Sequence, residues 1–245
     1  MKVAIFIPCY IDQFYPQVGI ATLELLEKYG VTVSCPKDQT CCGQPMANAG
    51  FEHLTGPSNE LFVDNFSGYD YIVSPSGSCV LHIKDHLHST TRHDEAKQIT
   101  HRIFELTEFL TDILDVHVVP SKFYHKVGLH QSCHGQRGLR LSQMTELVAP
   151  PFSKPEKLLR MVEGLELIQL DRKDECCGFG GTFSVSEEAV AVKMGKDRIE
   201  DHLQYGAEFI TASDMSCLMH LEGILRRQGS ATKVIHIAEI LNQGK

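Results

Sequence analysis

The sequence predicts an α/β protein built as two similar parallel-sheet lobes from an internal duplication, and three observations carry that prediction. Eight of the nine cysteines fall into two sets with one order, a single, a vicinal pair and a second single: Cys9, Cys41, Cys42 and Cys79, then Cys133, Cys176, Cys177 and Cys217. The gaps run 31 and 36 residues in the first set and 42 and 39 in the second, and each pair continues into glycine, as Cys41-Cys42-Gly43 and Cys176-Cys177-Gly178. Short apolar runs alternate with helical periodicities in both halves, as βαβ units do.

Val3 to Ile7 is an unbroken apolar run leading to Cys9, as a strand buried on both faces requires. Val18 to Tyr29 places Ile20, Leu23 and Leu26 at helical spacing and is closed by Gly30, after which Val31 to Val33 resumes as strand. Tyr69 to Val73 supplies a later strand before Pro75-Ser76-Gly77-Ser78-Cys79, and Val80 to His86 reads as helix. Ala96 to Leu114, with Ile99, Ile103, Leu106, Leu110 and Ile113, predicts one amphipathic helix between the halves. Asp115 to Lys122 is the expected boundary, giving a first lobe with its linking helix over 1–118 and a second over 119–245. In the second lobe Lys126 to His130 is the strand before Cys133, Pro155 to Glu163 a helix, and Leu165 to Ile168 the strand toward Cys176. Ala207 to Thr211 then precedes Asp214-Met215-Ser216-Cys217 and a helix over Leu218 to Arg227. The expected architecture is two tightly packed Rossmann-like lobes related by a pseudo-twofold. All eight patterned cysteines then lie at the carboxyl ends of strands, where loops and helix amino termini converge.

Composition narrows the partners. Lys and Arg number 23 against 31 Asp and Glu, a formal charge of −8 without a basic run, so nucleic acid and anionic membrane are poor matches. No window approaches the roughly 18 apolar residues of a membrane span. The segment Met1 to Cys9 lacks the features of a signal peptide, so a cytoplasmic chain with reduced thiols and no membrane span is expected. At 245 residues the chain needs no disulfide or metal merely to hold a core, and its cysteines therefore point to metal or redox chemistry.

Helix amino termini and backbone N–H groups stabilise thiolates, and Gly43, Gly178, Gly180 and Gly181 let the backbone approach an anionic group. Adjacent cysteines are awkward ligands for one tetrahedral zinc, whereas a cluster of several irons accepts them. Cys35, outside the pattern, reads as a small buried apolar residue.

The doubled motif resembles the cysteine-rich CCG domains found in heterodisulfide reductase and in the iron-sulfur component of glycolate oxidase. Over the whole chain the sequence is most similar to the lactate utilization protein A family. That resemblance implies an iron-sulfur electron-transfer subunit of a multi-protein system oxidising L-lactate to pyruvate. It implies one cluster per repeat, of the 4Fe-4S type, bound by Cys9, Cys41, Cys42 and Cys79 and by Cys133, Cys176, Cys177 and Cys217. The implied partners are other components of the lactate-oxidising complex, including a ferredoxin-type iron-sulfur protein. The heterodisulfide reductase motif ends in C-x-x-C; here that last position is His82 in one half and His220 in the other. Either those histidines are additional metal ligands or each cluster is an ordinary four-thiolate one. Two alternatives stand beside this reading: a component of a disulfide reductase or of glycolate oxidase, and a zinc-stabilised structural module, against which the vicinal pairs count.

Weaker signals add little. His82, His86, His88 and His93 enrich one segment in imidazole, read as a solvated helix face. His130 and His134 flank Cys133 and are placed to tune a cluster through its sulfurs, or else to fill core and loop; Arg137 and Arg140 read as surface charge. Gly178-Phe179-Gly180-Gly181 lacks a full nucleotide-binding glycine pattern. No acid–base pair, nucleophile or flavin motif stands out, so catalytic residues stay unassigned and hydride chemistry is left to a partner.

Overall fold

The computed structural model describes residues 1–244. The amino-terminal apolar run forms β1 (Val3–Ile5), buried along its length, and past Pro8 the chain enters α1 (Cys9–Phe14). Pro16 opens α2 (Pro16–Lys28), and Gly30, with φ +77°, turns the chain toward β2 (Val33–Ser34). The Cys41-Cys42 loop passes through Gly43 into α3 (Gln44–Met46); α4 (Gly56–Phe66) then returns to β3 (Tyr71–Ser74). Next come α5 (Gly77–His86), α6 (His93–Arg102), β4 (Ile103–Glu105) and α7 (Leu106–Glu108), which runs on as a π-turn over Phe109–Ile113. The second lobe starts with β5 (Lys126–Leu129), a π-turn over His134–Gly138, α8 (Lys154–Leu159) and β6 (Glu166–Leu167). It continues with α9 (Phe183–Ser186), α10 (Glu188–Leu203), β7 (Phe209–Ala212), α11 (Met215–Gln228), β8 (Lys233–His236) and α12 (Ile237–Asn242).

Both sheets are parallel throughout, and their strand orders, β2-β1-β3-β4 and β6-β5-β7-β8, are the same permutation. The fold class expected from the sequence is therefore the one observed. The helix expected over Ala96 to Leu114 is not one helix; it divides into α6, β4 and α7. The spacing of Ile99, Ile103, Leu106 and Leu110 suits a helix face, but Ile103 and Glu105 also point inward with period two. Pairing with β3 (Ile72 to Ile103, Ser74 to Glu105) satisfies backbone groups that the sheet edge otherwise leaves open, and the Glu105 carboxyl group then caps α7, its Oε2 accepting from Thr107 and Glu108 N–H. β8 repeats the device in the second lobe, where His236 Nδ1 accepts from Ala238 N–H to cap α12.

The lobes are interlocked. α12 of the second lobe packs on α2 of the first, and α7 of the first on α8 of the second; α5 meets the His134–Gly138 turn as α11 meets α1. Each contact reappears when the lobes are exchanged, which is the signature of a pseudo-twofold. One apolar core crosses the junction, drawing Val3, Ile11 and Leu25 from one lobe and Val127, Ile210 and Leu221 from the other. Among the described residues no helix is long and apolar enough to cross a membrane.

Candidate metal centre

Where the lobes meet, a cleft is lined by all eight patterned cysteines. Cys9 opens α1, Cys79 and Cys217 lie in the first turns of α5 and α11, and Cys133 immediately precedes its π-turn. The vicinal pairs sit in the loops after β2 and β6. Parallel topology thus gathers thiols from distant positions at one edge of each sheet. They divide by lobe: Cys9 and Cys41 sulfurs are 3.8 Å apart, and Cys42 meets Cys41 and Cys79. In the second set Cys176 meets Cys133 and Cys177, which in turn meets Cys217.

One thiol in each set is strongly acidified. Cys41 is held far below the usual thiol range by hydrogen bonds from Cys42 and Cys9, helped by the Gly43 amide at 3.5 Å. Cys176 is lowered in the same way by Cys133 and Cys177, with the Gly178 amide at 3.4 Å. The donors move the other way: sharing a proton with Cys41 raises Cys9 and Cys42, and sharing with Cys176 raises Cys133 and Cys177. Gly43 and Gly178 have φ of +93° and +87°, which turns their amides toward sulfur and favours glycine. In each set three thiols converging on one thiolate form a donor set suited to a thiophilic metal or an iron-sulfur group, which binds with release of the remaining protons.

The remaining candidates separate on geometry. His82 is buried in α5, stacked on His86 with ring centroids 4.8 Å apart, and its Nε2 lies 3.5 Å from where a Cβ on Gly43 would stand. Burial, then the neighbouring His86, lowers His82 to about 4. The imidazole-rich segment is thus not uniformly a solvated face, since His82 is enclosed while His86 is exposed and paired with Glu52 at 2.8 Å. His220 Nε2 is hydrogen-bonded to the Ala191 carbonyl at 3.1 Å. Arg137 pairs with Glu146 on the surface and does not line the cleft. Cys35 is exposed, contrary to its reading as a buried residue, because β2 ends at Ser34 on the open edge of the sheet.

Several cleft residues carried no functional reading in the sequence. Asp214, fully buried, bridges the lobes: its Oδ1 accepts from Ser76 Oγ at 2.9 Å, Ser78 N at 3.0 Å and Ser78 Oγ at 2.9 Å, and its Oδ2 from Ser132 Oγ at 2.5 Å. Ser76 and Asp214 are also bridge partners, and each lies three residues before its final cysteine. Two crosswise pairs wall the cleft, Tyr10 edge-on to Phe179 at 6.0 Å and Gln44 Nε2 3.4 Å from His134 Nε2. Tyr10 and His134 each follow a single cysteine, and Gln44 and Phe179 each follow a CCG glycine, so the pairs correspond through the repeat.

Fold and site together define a class: a chain with two cysteine-rich domains, matched by the CCG cysteine-rich domain over residues 3–84 and again over 127–222. The family follows from full-length relatives named lactate utilization protein A. One from Exiguobacterium sp. is 42% identical over 99% of this chain and 98% of its own length, and one from Bacillus subtilis is 38% identical over 99% of each. That from Halalkalibacterium halodurans is 40% identical over 99% of this chain and 97% of its own. The chain belongs to the lactate utilization protein A family. Among solved structures, a hypothetical protein from Helicobacter pylori shares the fold with a TM-score of 0.62 at 14% identity; the match spans 98% of this chain and 48% of that one.

Proposed function

We propose that the chain is the iron-sulfur electron-transfer subunit of a multi-protein system that oxidises L-lactate to pyruvate. The observation that carries this is the pair of four-cysteine sets, equivalent through the repeat, opening on one cleft between the lobes. Cys9, Cys41, Cys42 and Cys79 would hold one iron-sulfur group and Cys133, Cys176, Cys177 and Cys217 the other. Such a group supplies one-electron oxidation and reduction. The vicinal pairs favour it over a single zinc in each lobe. The thiolates of Cys41 and Cys176, fixed by the Gly43 and Gly178 amides, provide anionic anchors, and Tyr10 and Phe179 pack edge-on along one wall of the cleft. Lactate enters from the names of the full-length relatives. With no hydride acceptor among its own residues, the chain passes electrons between partners, one of them a ferredoxin-type iron-sulfur protein.

The physiological test is genetic. A strain lacking the gene and any backup enzyme should lose L-lactate oxidation, with rescue by the wild-type chain and none by Cys42→Ser. Normal lactate oxidation without the gene removes the proposal. A second reading, reduction of a disulfide, draws on the opening of both sulfur sets into the same cleft; turnover of a disulfide by the isolated, iron-loaded chain would favour it.

A further inference from the structure

The two lobes differ at one buried position beside the cysteines. Counting back three residues from Cys9 and Cys133 sets Phe6 against His130 at the end of the central strands. In the first lobe the position serves packing: Phe6 is fully buried and meets Phe62 edge-on at 4.9 Å and Phe66 at 5.8 Å. His130 is as deeply enclosed, 1% exposed, yet neither of its ring nitrogens has a hydrogen-bond partner. A buried polar atom calls for a partner, and two on one ring are unusual.

The surroundings narrow what that partner is. A ring nitrogen of His130 and the sulfurs of Cys177 and Cys217 all lie within 4.8 Å of one another, and all three residues are buried. Metal–sulfur and metal–nitrogen bonds of about 2.3 and 2.0 Å put donors on one tetrahedral ion roughly 3.5 Å apart, so this spacing is within a small side-chain adjustment of shared ligation. Arg198, whose charge acts on His130, carries only donors; it is committed to the Arg172 carbonyl and the Asp201 carboxylate. His202, also beside the ring, is fully buried with both ring nitrogens unpartnered. The repeat's own histidine, His220, has its Nε2 on the Ala191 carbonyl.

We propose that His130 is a nitrogen ligand of the second lobe's iron-sulfur group, so that the two lobes hold chemically different centres, with sulfur and nitrogen donors in the second and none from the matching Phe6 in the first. This rests on the iron-sulfur reading above. Its consequence is functional asymmetry within a duplicated fold, because histidine ligation changes the reduction potential of an iron-sulfur centre.

The test uses full-length protein purified without oxygen and labelled with ¹⁵N only in histidine. It is carried out in the Cys42→Ser background, which removes the first lobe's centre and leaves the second. Pulsed electron paramagnetic resonance of the reduced protein should show a directly bonded ¹⁵N coupling. Adding His130→Phe, the first lobe's own residue, should abolish it, and His130→Gln should do the same. Iron and sulfide bound without any such coupling, or a coupling unchanged by both substitutions, overturns the assignment while the iron-sulfur reading stands. The labelled chain carrying His130 decides the first point even where a His130 variant does not fold. No iron or sulfide in the wild-type chain overturns the reading beneath it and the assignment with it.

Discussion

Asp214 joins the lobes at the floor of the cleft, and its replacement by alanine has a cost that can be worked from its partners. The carboxylate accepts four hydrogen bonds, three from the first lobe and one from Ser132 of the second. Ser76 and Ser78 hydroxyls are 3.3 Å apart and re-pair with each other once the carboxylate is gone. The Ser78 N–H and the Ser132 hydroxyl are left as buried donors. At roughly 2 kcal/mol for each bond to a charged acceptor, Asp214→Ala should destabilise by about 4 kcal/mol. For a chain of this size that lowers the melting temperature by roughly 8–16 °C. Asp214→Asn keeps the shape and one acceptor oxygen and should lose about half as much. Urea unfolding of metal-free protein, followed by circular dichroism, measures this without a contribution from ligand binding. A loss below about 1 kcal/mol for the alanine variant would refute the bridge as a principal tie between the lobes.

Other perturbations separate packing, titration and site geometry. Gly178 has φ +87°, and a Cβ there stands 2.6 Å from the Ala191 carbonyl oxygen; Gly178→Ala should cost about 3 kcal/mol and strip the metal of the second lobe. Gly181→Ala, at φ +65° with only Asn48 at 3.7 Å, should cost about 1 kcal/mol and leave the metal in place; equal metal content in the two variants contradicts the steric account. Burial raises the Glu105 carboxyl to about 8, from 4.5, so the folded chain holds a proton that the unfolded chain has released. That contribution is present at pH below 4.5 and is lost as pH rises toward 8, about 5 kcal/mol in all. The stability difference between wild type and Glu105→Gln should therefore shift against wild type as pH rises through that window; a shift the other way removes the argument. His82, His130 and His236 are held neutral by burial and act in the opposite sense at acid pH, which is why the comparison is made between the two proteins at each pH.

The duplication was legible because thiols must be supplied by residue type and parallel strands put them at fixed places relative to the sheet, so the repeated pattern survives at the level of letters. Strands β1 and β5 were legible as apolar runs for the same topological reason. β4 was not: Ile103, Leu106 and Leu110 satisfy a helical stripe, and only the open edge of β3 makes Ile103–Glu105 a strand. β8 was missed because Lys233–His236 is short and has an exposed start. Asp214 stands in the motif that leads to Cys217, but its burial depends on hydroxyls of Ser76 and Ser78 more than a hundred residues away. His130 stood out in the sequence as an imidazole flanking Cys133, placed either to tune a cluster or to fill the core, and its unpartnered nitrogens belong to the fold alone.

Iron, acid-labile sulfide and zinc per chain, measured on protein purified without oxygen alongside Cys42→Ser and Cys177→Ser, test the central claim most directly. Two iron-sulfur centres predict iron and sulfide in near-equal amounts, with about half lost in each variant because each removes a ligand of one lobe only. Zinc alone, or no metal after anaerobic reconstitution, would contradict the account and leave the paired cysteine sets a structural feature of the fold.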